Sequence, residues 1–234
     1  MILYHGTSEV YLNKILEKGL VPRRDQKIPN SNWKEYPSQT DMIYLSTAYP
    51  FYFAYTACNQ VNQSKGVVFE LDLPDDSTSF YPDEDFIYHC IKNQYKYNKS
   101  KEALKQLHED IKNNLQSYQH YWGHSITKMG VCGYKETITP EHIKRYCVVD
   151  FRKTPHIALS CLDPSISPDN FAIKGKYYQD LVKWFFGDRE LLPQVDEANL
   201  IVKLFQENKK EFEKGVNFWA EQSYNREYIQ VINL

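Results

Sequence analysis

The chain has 234 residues, five of them cysteine, and a formal net charge of -2 at pH 7, enough length for one large domain or a domain with an appendage and enough to bury a core. With a pI near 6.4, bulk electrostatic attraction to nucleic acid is excluded as the main business of the chain, although a local basic patch is not. No apolar run in the sequence approaches the roughly 18 residues of a membrane span, and the scattered cysteines Cys58, Cys90, Cys132, Cys147 and Cys161 form neither a CxxC pair nor a zinc-spaced cluster, so a reduced, cytoplasmic protein without a metal is expected.

Met1-Ile2-Leu3-Tyr4 passes straight into His5-Gly6-Thr7-Ser8. This reads as a buried strand with a polar end, softened by a glycine where a ligand could touch backbone. A start on a core strand lacks the cationic opening and small-residue cleavage site of a leader, so no signal peptide is expected. Glu9 to Lys18 predicts a short amphipathic helix, with Leu12, Ile15 and Leu16 on one face, Ser8 as cap and Gly19 as terminator. Pro22 to Gln39, which contains Trp33 and Tyr36, predicts a long loop of the kind that serves as a lid.

Met42 to Thr47 predicts a strand, followed by a helix with Pro50 at its first position, running through Cys58. Gly66 to Leu73 is a further strand. Residues 75–128 read as a helical insertion: between Asn98 and Tyr121, Leu104, Leu107, Ile111, Leu115 and Tyr118 recur on one helical face. Lys101, Lys105 and Lys112 beside Glu102, Glu109 and Asp110 make the other face a solvated surface more readily than a nucleic-acid stripe. Met129 to Ile138 and Arg145 to Phe151 read as strands joined by a single turn that Thr139 and Pro140 open, with Glu136 at the beginning of a strand. From Thr154 onward the pattern is helical, with one helix from Lys176 to Phe186 and a longer one from Glu197 to Gln222.

Three of these segments, in this order, resemble a known constellation. Leu3-Tyr4-His5-Gly6-Thr7-Ser8 with Ile15-Leu16-Glu17-Lys18-Gly19-Leu20, then Ile43-Tyr44-Leu45-Ser46 with Ala54-Tyr55, then Tyr134-Lys135-Glu136-Thr137-Ile138 are similar to the three blocks of the diphtheria-toxin and poly(ADP-ribose)-polymerase type of ADP-ribosyltransferase. The resemblance spans residues 2–151 and implies an α+β fold with a split β-sheet core. In that arrangement residues 1–153 form the catalytic domain, 75–128 a helical insertion and 154–234 a C-terminal helical extension.

The resemblance also implies NAD as co-substrate. His5, Gly6, Thr7 and Ser8 would hold its ribose and carboxamide, Tyr44 and Tyr55 would stack on the nicotinamide, and Ser46 and Arg23 would complete the binding set. His5, Tyr44 and Glu136 would be the catalytic residues, Glu136 placing charge beside the developing sugar cation. Tyr134 stands where arginine-modifying relatives carry Glu and other mono-transferases carry Gln, which disfavours arginine as acceptor. The implied activity is mono-transfer to a macromolecular acceptor, a protein side chain or a nucleobase, by a bacterial or phage toxin or effector. An antitoxin or other regulator is a possible partner, and no membrane is involved. The aromatic loop and Lys-rich residues 92–112 would suit single-stranded nucleic acid. An RNA 2'-phosphotransferase and a silent NAD- or ADP-ribose-binding module are the alternatives; Glu136 argues against the first, and intact His5, Tyr44 and Glu136 argue against the second.

Overall fold

The computed structural model describes residues 1–25, 38–92, 101–153, most of 175–187, and 229–234. The loop at 26–37 with Trp33 and Tyr36, the Lys-rich stretch 93–100, Cys161 and the helix expected at 197–222 lie outside the described residues. The fold is mixed α and β, built on a seven-stranded sheet of order β4-β5-β2-β1-β3-β6-β7 in which every neighbouring pair is antiparallel. The strands are β1 (Ile2–Ser8), β2 (Ile43–Ser46), β3 (Lys65–Asp72), β4 (Phe80–Pro82), β5 (Val131–Tyr134), β6 (Ile143–Asp150) and β7 (Ile229–Asn233).

Helices cover both faces. On one, Leu3, Ile43, Leu45, Val67, Phe69 and Leu71 pack with Ile15 of α1 (Leu12–Lys18) and with Leu20. Gly19 ends α1 at φ 79°, and its backbone approaches so near that a Cβ would stand 2.1 Å from the Ile138 carbonyl oxygen. Glycine is required there on both counts. On the other face, Tyr4, Val68, Val131, Cys147 and Val149 meet α2 (Pro50–Gln60), α3 (Glu84–Phe86) with its π-helical continuation Ile87–Ile91, and Tyr178, Val182, Phe185 and Phe186. α4 (Lys101–Asn113) and α5 (Trp122–Met129) follow the π-helical turn in sequence. No helix among the described residues is long and apolar enough to cross a membrane.

Three expectations are corrected. Residues 75–128 are not wholly helical, because Phe80–Pro82 forms the edge strand β4 against β5. Three residues ending in proline carry too little alternation to read, and proline is tolerated at a sheet edge. The C-terminal region likewise contributes β7, which pairs with β6 from Ile229↔Val149 to Asn233↔Arg145. The helix expected through Tyr121 instead ends at Asn113; Asn114 turns out of helical geometry (φ -112°, ψ 14°), and a 3-10 segment, Leu115–Tyr121, leads into α5.

Candidate functional site

β1 lies at the centre of the sheet but uses its two edges unequally. It pairs with β3 at every position from Ile2↔Asp72 to Ser8↔Gly66, and with β2 only at Tyr4↔Ser46. The same register would set Gly6 opposite Tyr44, yet no such pair forms. Instead the His5 imidazole reaches across, with Nδ1 2.9 Å from the Tyr44 carbonyl oxygen. A side chain thus takes the acceptor that a continuing ladder would give to backbone.

That bond fixes the chemistry of His5. A carbonyl only accepts, so Nδ1 carries the hydrogen, and in the neutral ring Nε2 is left as a lone-pair acceptor. Burial holds the pKa of His5 below its ordinary 6.5, and the positive charge of Arg23 pushes the same way against the Tyr44 carbonyl. At neutral pH the ring is therefore uncharged and can accept from a ligand hydroxyl. Arg23 sits in the 3-10 turn Arg23–Asp25, where its Nη2 donates to the Gln39 carbonyl at 3.4 Å.

Tyr44 links this edge to a carboxylate. Its hydroxyl lies 2.7 and 2.8 Å from the two oxygens of Glu84, and the Gln39 N–H is shared between the Tyr44 hydroxyl and Glu84 Oε1, each at 2.9 Å. Burial pushes the Tyr44 phenol well above its ordinary pKa, so it remains protonated and donates. Glu84 opens α3 behind the N-cap Asp83 and is only 6% exposed. Burial raises its pKa, while the bonds from Tyr44 and Gln39 oppose the rise. His5, Tyr44, Glu84, Gln39 and Arg23 form one connected group.

The remaining expected site residues have other surroundings. Gly6 faces α2, where a Cβ would lie 1.9 Å from the Pro50 carbonyl oxygen and 2.7 Å from the Ala54 nitrogen, so its visible requirement is helix packing. Thr7 is partly exposed opposite Val67, and Ser8 is buried against the Cys58 thiol. The Ser46 hydroxyl accepts from the Ala48 and Tyr49 N–H groups and donates to the Gly130 carbonyl. Its hydrogen-bonding capacity is filled by the entry to α2. Tyr55 meets Phe151 edge-on at 5.5 Å.

Glu136 requires a correction of position. β5 ends at Tyr134, so Glu136 follows a strand instead of beginning one, and it is exposed in a bend. Its neighbours are stapled: Lys135 pairs with Asp41 at 3.2 Å, and Ile138 bridges Leu20. Among the described residues no hydrogen bond joins Glu136 to the group around Tyr44.

Glu84 escaped the sequence reading for a physical reason. Asp83-Glu84-Asp85 after Pro82 has the pattern of a capped helix start whose acids face water. Its burial depends on Tyr44, 40 residues away in sequence. Among the described residues no group of three or more His, Cys, Asp or Glu is placed to hold a metal ion. Compared with known proteins, the chain matches no family model and no curated protein.

Proposed function

We propose that the chain is a mono-ADP-ribosyltransferase that takes NAD into the opening between β1 and β2. The observation that carries the reading is the His5–Tyr44 junction: an imidazole kept neutral with Nε2 free to accept, bonded to the residue whose phenol is tied to a buried carboxylate. The parts fit NAD chemically. Nε2 of His5 suits a ribose hydroxyl, the Arg23 guanidinium suits the diphosphate, and the Tyr44 ring suits stacking on nicotinamide. In the reaction the bond from the ribose anomeric carbon to the nicotinamide nitrogen breaks, and its electron pair leaves with neutral nicotinamide. The acceptor's lone pair then closes on the cationic sugar and the acceptor loses a proton.

A negative charge near that cation lowers the barrier. The resemblance nominates Glu136 for this task, but the carboxylate bonded to the His5–Tyr44 group is Glu84, and the proposal shifts the weight to that side of the opening. The acceptor is a macromolecule, protein or nucleic acid.

The test is NAD consumption and label transfer from radiolabelled NAD into a lysate, treated with protease or nuclease to separate acceptor classes. Wild type should transfer, and His5→Ala and Tyr44→Ala should lose roughly 10²–10³ in rate, the scale of removing one electrostatic or orienting group. Glu136→Gln, measured alongside, should lose less than either. Absence of NAD binding and turnover in the wild type would refute the proposal.

A further inference from the structure

Among the described residues, two carboxylates, Glu70 and Glu84, are buried beneath the sheet's α2 face, and they are compensated differently. Glu70 receives Arg145 through both of its oxygens, at 2.9 and 2.8 Å, and also a bond from Tyr4. Glu84 is equally buried, at 6% exposure for each, but its bonds come from the Tyr44 hydroxyl and the Gln39 N–H, both neutral groups. Buried carboxylates are ordinarily matched by a cation or take up a proton. Among the described residues, no cation pairs with Glu84.

We infer that Glu84 is a positioning residue whose uncompensated charge acts through Tyr44 on a cationic ligand ring held against that phenol. The inference rests on the proposed NAD site and deepens it. The nicotinamide of NAD carries a formal positive charge, which passes to the sugar as the bond breaks, so a fixed negative charge one phenol away attracts first the substrate and then the transition state. The clamp also sets geometry. Tyr44 is held from both ends, its hydroxyl by Glu84 and its backbone carbonyl by His5. Gln39, which completes the clamp, is anchored by its side chain to the Lys112 carbonyl at the end of α4. The wall against which a ring would stack is therefore tied on both sides of the opening. Holding an unmatched charge in this place costs stability, as functional sites commonly do.

The test uses Glu84→Gln, Tyr44→Phe and the double variant in the full chain, each assayed for thermal midpoint, NAD binding, and kcat and KM for NAD consumption. Glutamine keeps one acceptor oxygen for Tyr44 and Gln39 and removes the charge, with an NH2 donor in place of the other oxygen. The expected result is that Glu84→Gln melts at or above wild type at pH 7 while kcat/KM falls about tenfold to a hundredfold, the scale on which partners behind a site's contacting groups act. Because Glu84 works through the Tyr44 hydroxyl, the double variant should lose no more than the worse single variant. A lower midpoint with activity lost only in proportion to unfolding would overturn the inference, as would losses that multiply in the double variant or a Glu84→Gln enzyme within twofold of wild type. Wild type that neither binds nor consumes NAD would instead overturn the proposed function, and this inference with it. Failure of the inference alone is recognised by an active wild type.

Discussion

The two edges of β1 are paired unequally, one along its whole length and one at a single position. Toward β3 the ladder is continuous over seven residue pairs, whereas toward β2 it holds at one. The carboxylates follow the same division: on the closed side Glu70 is neutralised by Arg145, and on the open side Glu84 is met, among the described residues, by neutral donors. A closed edge needs its backbone groups and charges matched, because unmatched ones are lost stability. An open edge retains unspent capacity, and that capacity is what a ligand can use.

The comparison breaks most severely on the closed side. Arg145→Ala strips Glu70 of its cation and also removes the donor to the Phe186 carbonyl; a loss of about 3 kcal/mol is expected, the lower end for breaking a buried pair since Arg145 is partly exposed. Urea unfolding measures it. Gly6→Ala is expected to cost about 2 kcal/mol, because α2 must retreat from β1 to admit the methyl group. Both variants should weaken NAD binding only through the folded fraction. Ser46→Ala removes the hydroxyl that ties the entry of α2 to the Gly130 carbonyl, with an expected cost of about 1 kcal/mol.

The open side gives a smaller, pH-dependent signature. The pKa of His5 is lowered from 6.5 in the folded protein, so as pH falls below that value the unfolded chain takes up a proton that the folded one resists. The His5 contribution to stability is therefore present above about pH 6.5 and lost as pH falls toward its folded pKa. His5→Gln should flatten the fall in thermal midpoint between about pH 7 and 5. A pH dependence identical to wild type would remove His5 from the account.

Much of the frame was legible in the sequence because it is local. The strand Ile2–Ser8, the Gly19 terminator, Pro50 at the head of α2 and the alternating run Val67–Leu73 each carry their pattern within a few residues. Of the candidate site residues, His5, Tyr44 and Arg23 are joined in one hydrogen-bonded group through Gln39, whereas Ser46 and Gly6 are occupied by capping and packing that depend on a helix's exact approach. Strand β4 and the carboxylate that follows it were illegible. Three residues are too few to show a period, and a Glu one residue past a helix cap looks solvated until a phenol from another strand encloses it.

The central claim is that the open edge of β1 is a ligand site organised by a neutral His5. Long-range imidazole 15N–1H spectra, with the His5 signal assigned by its loss in His5→Gln, test it directly. The account predicts a neutral ring with the proton on Nδ1 at pH 7, and an Nε2 resonance that moves saturably when NAD is added. A His5 ring protonated on Nε2, or one whose signals stay fixed while NAD binds elsewhere, would contradict it.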